Sequence, residues 1–172
     1  MGNEQTLIEC AKQGDKSAYE ALYRSSVGKI YALCLRMCCD ENIAEDLTQE
    51  AFINGWRKIE SFQSNSSFAT WMYRIATNTV IDFMRSKRHW KHVDLNEEAV
   101  LMQSESFNKD VFMDIERAME ALPDQARLVF ICYEFLGYQH NEIADSTGLA
   151  VGTCKAHLHR ARQLMQKVLN HD

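Results

Sequence analysis

The residues best placed to do chemistry lie near the C-terminus. Lys155, His157, His159, Arg160 and Arg162 cluster with Thr153 and Ala156, and no acid interrupts Lys155–Lys167. All of these except Ala156 have side chains that can donate hydrogen bonds to phosphates and to base edges in the major groove. Among them Val151, Cys154, Leu158, Ala161, Met165 and Val168 recur at intervals of three and four. That spacing predicts a helix from Val151 to about Leu169 with one apolar and one basic face. Just upstream, His140–Thr147 reads as a short helix burying Ile143 and Ala144. Gly148 follows, a turn residue free to take positive φ. Two helices, a tight turn and a basic second helix make a helix-turn-helix suited to the major groove. A plain helical hairpin with a solvated basic face is the alternative.

A second basic cluster holds Arg74, Arg85, Lys87, Arg88 and Lys91 against the single acid Asp82. Phe68, Trp71, Met72, Ile75, Ala76 and Thr79 form a helical stripe, predicting a helix from Phe68 to about Arg88. Ser66 or Ser67 is its expected cap. Its other face carries Arg74, Asn78 and Arg85. Before it runs a polar break, Ser61–Ser67, that includes Gln63, Ser64, Asn65 and Ser66. An asparagine offers a donor and an acceptor to an unpaired base, and an aromatic ring offers a stacking surface. Trp71 suits either core packing or such stacking. Arg85, Lys87 and Arg88 suit either phosphate contact or a solvated helix end whose cations favour the dipole.

Asp46, Gln49 and Glu50 share a polar helix face beside Phe52 and Ile53. Apolar groups rimmed by polar ones suit a partner surface, although such acids alone are ordinary solvent-facing residues. Cys34 and Cys38 stand one turn apart, with Cys39 and Cys10 nearby. No CxxC occurs and no histidine lies in residues 1–88, so buried or half-buried thiols are expected rather than a metal site. His157 and His159 point in different directions on a helix and make a poor chelate. His89 and His92 flank Trp90 as surface groups. No P-loop, GxGxxG, GxSxG or HExxH is present, and neither an enzyme nor a cofactor is expected.

The elements that must carry these groups are helical. Seven glycines and one proline among 172 residues are too few for a turn-rich fold. A short helix over Thr6–Gln13 places Leu7, Ile8 and Ala11 on one face and ends at Gly14. Asp15 caps a second helix reaching about Cys39, with Leu22, Ile30, Leu33 and Met37 inward. Asn42 and Glu45 stand at capping-box spacing before a third helix with Leu47, Ala51 and Phe52 on one face and Trp56 a turn on. Residues 91–109 are acidic and aperiodic and read as a linker. From about Asp110, Val111, Ile115, Met119 and Leu122 again show helical spacing. Pro123 fits the first turn of a further helix that Gly137 stops. The expected fold is all-α, with helical domains at 1–90 and 110–172. Net charge is −5, spread as zero over 1–90, −3 over 91–112 and −2 over 113–172. A free duplex binder usually draws on net positive charge. No apolar run is long enough to span a membrane and no signal peptide is visible, so a cytoplasmic chain without membrane insertion is expected.

Glu142-Ile-Ala through Gly152-Thr-Cys-Lys to Leu158-His-Arg-Ala-Arg162 resembles the C-terminal domain of extracytoplasmic-function (ECF) sigma factors. Leu122-Pro123, Arg127 and the apolar run Leu128–Cys132 fit the same domain. Ala44-Glu-Asp-Leu-Thr-Gln-Glu-Ala-Phe52 resembles their polymerase-binding helix, and Phe68-x-x-Trp71-x-x-Arg-Ile-Ala-x-Asn78-x-x-x-Asp82-x-x-Arg85 their −10 recognition helix. The resemblance covers both domains in order. It implies a non-enzymatic transcription initiation factor that binds bacterial core RNA polymerase and promoter DNA and is usually restrained by an anti-sigma factor. By the family pattern, Asp46, Gln49, Glu50, Phe52 and Ile53 would meet polymerase. Gln63–Ser66 and Asn78 would hold a base flipped from the non-template strand, and Arg74, Arg85 and Arg88 the backbone. Thr153, Lys155, Ala156, His157, His159, Arg160 and Arg162 would serve the −35 element. A helix-turn-helix regulator working without polymerase is the second reading, although no dedicated dimer segment is visible.

The chain departs from the family pattern in its second domain. Ala150 and Gln139 replace serines common at the two helix starts, Cys154 replaces a valine and His157 an arginine. A histidine, mostly neutral near pH 7, would make any phosphate or guanine contact there weaker and pH-dependent.

Overall fold

In the computed structural model the described residues are 2–86 and 111–169, with side chains described for 3–86 and 115–167. Lys87, Arg88, His89, Trp90, Lys91, His92 and the acidic stretch 91–109 lie outside them, as do the expected domain boundaries. The chain forms two compact units, Met1–Val80 and Ile81–Asp172. Among the described residues every regular element is helical.

In the first unit, α1 spans Gly2–Lys12, α2 Lys16–Cys38 and α3 Glu41–Lys58. A 3-10 turn at Ile59–Ser61 follows, then α4 at Phe68–Ser86, whose last residues count with the second unit. The sequence places α1 four residues late, because its first turn has no apolar periodicity to read. Ile8 and Ala11 are buried and Leu7 half-buried. Asp15 caps α2 as expected, accepting from Ser17 N at 2.8 Å and Ala18 N at 3.2 Å. Leu22, Ile30, Leu33 and Met37 line its buried face. Cys39 ends α2 in the left-handed region at φ 51°, its N–H reaching Leu35 O. The cap of α3 is Asp40, whose carboxylate accepts from Ile43 N at 2.9 Å. Asn42 and Glu45 already lie inside the helix, so the expected capping box does not form there.

Helices α2, α3 and α4 meet at Gly55. A Cβ there would lie 2.7 Å from both Met72 Sδ and Tyr19 Oη. The Tyr19 hydroxyl donates to Phe52 O at 2.6 Å, and burial raises its pKa. Tyr19 also meets Trp56 and Phe68 edge-on, at 5.0 and 6.0 Å between ring centroids. Phe68, Met72, Ile75, Ala76 and Thr79 of α4 are buried as the stripe requires, while Trp71 is half-buried against Phe62 at 5.1 Å.

In the second unit, α5 spans Val111–Glu120, α6 Asp124–Phe130, a π-helical turn Ile131–Phe135, α7 His140–Thr147 and α8 Val151–Leu169. Pro123 caps α6 from outside, at φ −55° and ψ 143°, rather than sitting in its first turn. Its fixed φ suits either position, and the extended ψ decides it. Arg127 is 3% exposed. Its guanidinium donates to Leu122 O at 2.9 Å and to Asp124 Oδ1 at 2.6 Å, tying the end of α5 to the start of α6. The helix-turn-helix falls where the sequence placed it, with Gly148 at φ 77° and its N–H on Ala144 O. Gln139 leads into α7 with its N–H held by Glu142 Oε2 at 2.8 Å, half of a capping box that an absent serine does not prevent.

Gly55 and Gly28 give opposite predictions for the same substitution. An alanine in a helix gains up to about 1 kcal/mol over glycine. At Gly28, with nothing within 4 Å of a new Cβ, that gain stands alone, and Gly28→Ala should raise the urea midpoint. At Gly55 the gain is outweighed by displacing Met72 and the Tyr19 hydroxyl, an overpacking cost of about 1–3 kcal/mol. Gly55→Ala should therefore lower the midpoint.

Candidate functional site

The outer face of α3 carries Asp46, Gln49, Glu50 and Ile53, all exposed and at helical i, i+3 and i+4 spacing. Ile53, 51% exposed, is the apolar centre of this acidic face. Phe52 is not part of it. It is 4% exposed and packs edge-on against Tyr23 at 4.7 Å between centroids. Both neighbours are apolar and read as exposed from the sequence, but a step of about 100° around the helix turns Phe52 inward and Ile53 outward.

On α4, Arg74, Asn78 and Arg85 are exposed along one face while the other face is core. Arg85 Nη1 lies 4.0 Å from Asp82 Oδ1, a loose surface pair. Arg88 lies outside the described residues. The segment ahead of α4 is pinned by Phe62, 3% exposed, whose ring meets Phe68 at 6.5 Å. Gln63, Asn65 and Ser66 are exposed and Ser64 half-buried. Ser64 adopts φ 56°, which turns the chain sharply. Asn65 Nδ2 donates to Gln63 Oε1 at 3.4 Å. Ser67 is the side chain that caps the helix, accepting from Thr70 N at 3.2 Å. The loop thus leads into the packed rings of Phe62, Phe68 and Trp71, and Asn78 lies further along the exposed face of α4.

On α8, Thr153, Lys155, Ala156 and His159 are exposed and Arg160 is half-buried. Ala150 O accepts the first helical bond from Cys154 N at 3.0 Å, with no side chain to assist it. His159 Nε2 shares a 3.0 Å hydrogen bond with Gln163. Two expected contacts are placed differently. His157 is 3% exposed, so it belongs to the buried face with Cys154, Leu158, Ala161 and Met165. A stripe that packs against a domain core is wider than strict three-four spacing, and it takes in position 157. Arg162 is bound within the unit. Its Nε and Nη2 reach Glu134 Oε1 at 2.7 and 2.6 Å, and the guanidinium lies 5.5 Å from the Tyr133 ring centroid. Tyr133 in turn stacks on His140 at 4.6 Å. This chain of contacts is not legible in the sequence because a π turn displaces side chains from the 3.6-residue register.

The thiols divide by exposure. Cys34, Cys132 and Cys154 are buried, Cys38 is half-buried, and Cys10 and Cys39 are exposed rather than tucked into the core. Burial pushes the Cys132 thiol up to about 12 and raises Cys34 and Cys154. No group of three or more potential metal ligands occurs among the described residues.

The His157 pKa is lowered, chiefly by burial and then by the Arg160 guanidinium. The unfolded chain therefore takes up a proton that the fold resists. Stability is full above the ordinary histidine range and falls as pH drops below about 6.5. Urea midpoints should decline from about pH 7 to about pH 5.5, and His157→Asn should flatten that decline by at most about 1.4 kcal/mol per pH unit.

Comparison with known proteins adds the family. Sigma-70 region 2 matches residues 22–89 and Sigma-70, region 4 matches residues 112–165. The ECF RNA polymerase sigma factor SigW of Bacillus subtilis is 32% identical over 176 residues, covering 94% of each chain. The RNA polymerase sigma-H factor of Pseudomonas aeruginosa is 32% identical over 181 residues, covering 96% of this chain and 93% of its own. Among solved structures, the sigma factor RpoE of Bartonella quintana, in complex with the anti-sigma factor NepR, gives a TM-score of 0.56 at 23% identity. The match covers 90% of this chain and 98% of that one. CnrH, in complex with the cytosolic domain of CnrY, gives 0.56 at 20% identity over 99% of each chain. These structural likenesses speak to the fold. With both sigma-70 regions in order and full-length relatives at 32% identity, the chain belongs to the ECF group of the sigma-70 family.

Proposed function

We propose that this chain binds core RNA polymerase through the α3 face and directs it to promoters through α4 and α8. The observation that carries this reading is the pairing of a region 2 match with a region 4 match on one chain. In each match, polar candidate residues lie on the exposed side of a helix whose other side is core.

The three surfaces differ in chemistry. Asp46, Gln49 and Glu50 around Ile53 suit docking on a basic, partly apolar partner surface. The loop Gln63–Ser66 with Asn78 suits an unpaired base, whose edge needs a donor and an acceptor and whose extrusion from the stack must be repaid. Arg74 and Arg85 suit the adjoining phosphates. Thr153, Lys155, Ala156, His159 and Arg160 suit the edges and backbone of the −35 duplex. His157, behind them, supports the helix, and Arg162 has its Nε and Nη2 committed to Glu134. The low net charge fits a factor that relies on polymerase for part of its hold on DNA. The protein acts without catalysis of its own. We place it in the cytoplasm, restrained by an anti-sigma factor. Among the described residues no helix is long and apolar enough to cross a membrane. A regulator that binds DNA without polymerase is the competing reading.

Co-elution of the purified chain with bacterial core RNA polymerase tests the docking face. Wild type should co-elute and Asp46→Arg should not. Absence of binding by the wild type, beside a control sigma factor that binds, would favour the polymerase-free regulator. The DNA contacts should separate in the reconstituted holoenzyme. Arg160→Ala should weaken duplex capture by about tenfold, the cost typical of one lost recognition contact. Asn78→Ala should leave capture intact and slow strand opening, read by permanganate reactivity of unpaired thymines. Equal losses at both steps from either substitution would contradict this division.

A further inference from the structure

The loop proposed to read the unpaired base is held from outside the region 2 match. That match begins at residue 22, whereas α1 spans Gly2–Lys12. Two side chains of α1 cross more than fifty positions to reach the loop. Glu4 Oε1 accepts the backbone N–H of Phe68 at 3.1 Å. Gln5 Nε2 donates to Ser64 Oγ at 3.3 Å. The two bonds fall at functional points of the segment. Phe68 opens α4, and Ser64 is the residue at positive φ where the loop turns.

The physical case for each bond is distinct. The first turn of a helix leaves backbone donors without intrahelical partners. Ser67 Oγ satisfies Thr70 N, and the Glu4 carboxylate satisfies Phe68 N. A carboxylate at this end is also favoured by the helix dipole, and its hydrogen bond is charge-assisted. A non-glycine residue at positive φ carries a conformational cost and persists where its surroundings hold it. Gln5 is the only side chain whose hydrogen bond to Ser64 is resolved among the described residues. Ile8 and Ala11, at 2% and 1% exposure, fix α1 in the core, so Glu4 and Gln5 act from a firm base.

We infer that Glu4 and Gln5 are positioning residues for the base-reading loop, setting how sharply the chain discriminates the base captured there. The inference rests on the proposed role of Gln63–Ser66 in capturing an unpaired base. Glu4 and Gln5 need touch no DNA. They hold Ser64 and the start of α4 so that Asn65 and its neighbours present one geometry rather than several.

The test uses the full chain reconstituted with core polymerase and a promoter library randomised across the −10 element. Wild-type holoenzyme first defines the preferred base at each position. Glu4→Ala and Gln5→Ala should then co-elute with core polymerase as wild type does and should reduce discrimination at the loop-read base by about fivefold, the effect of losing one or two net hydrogen bonds. Glu4→Gln keeps an acceptor oxygen and should return discrimination to within about twofold of wild type. Preference at the −35 element should not move. Unchanged −10 preference in both alanine variants, with Asn65→Ala losing it, would overturn the positioning role and leave the loop reading intact. Unchanged preference in Asn65→Ala as well would overturn the loop reading and this inference together. Gln5 is exposed and outside the core, so Gln5→Ala keeps the test decisive if Glu4→Ala fails to fold.

Discussion

The first unit depends on a close approach at one glycine. Gly55 lets Met72 of α4 and the hydroxyl of Tyr19 of α2 reach the backbone of α3. The hydroxyl then finds the Phe52 carbonyl, so the buried polar atom is satisfied where packing is tightest. Both candidate faces of the unit are outward consequences of that junction. Turning Phe52 and Gly55 inward leaves Asp46, Gln49, Glu50 and Ile53 outside. Seating Met72 leaves Arg74 and Asn78 outside. A buried contact between three helices therefore sets the relative direction of the exposed faces of α3 and α4, the surfaces proposed to meet polymerase and DNA.

The second unit solves a related problem with charge. Arg127 is buried, and a buried guanidinium is tolerable only when its donors are paired. The carbonyl of Leu122 and the carboxylate of Asp124 supply that pairing across the α5–α6 turn. Further on, the π turn brings Glu134 and Tyr133 to Arg162, fixing the middle of α8 to the element before the helix-turn-helix. Helix α8 starts without a side-chain cap at Ala150, so its placement relies on this ion pair and on its buried stripe. Lys155, His159 and Arg160 then sit on a helix whose roll is already decided.

An acidic chain that handles DNA places its positive charge locally. Residues 1–90 are neutral overall, yet the exposed side of α4 is basic, and the exposed side of α3 is acidic around an apolar centre. Separation of sign between helices suits a protein that meets two macromolecules at once. It lowers affinity for DNA alone, since few phosphates can be neutralised, which fits the proposal that a partner docked on α3 supplies part of the hold on the promoter.

Periodicity made much of this legible in advance. The α4 stripe, the helix-turn-helix limits and the Asp15 cap follow from apolar spacing and from local donors and acceptors, which act over three or four residues. The sigma family was legible too, because its motifs are short and keep their order. Tertiary structure alone decided the rest. Phe52 and Ile53 are adjacent and both apolar, and only packing against Tyr23 says which is buried. His157 carries a polar label but falls within the width of the buried stripe. Arg162 carries the charge of a DNA contact, and a π turn many positions away gives it Glu134. Glu4 and Gln5 stand in a helix start without apolar pattern, and their partners lie more than fifty residues on. Local spacing fixes which face a helix has, whereas the neighbour that face meets depends on how the chain folds back on itself.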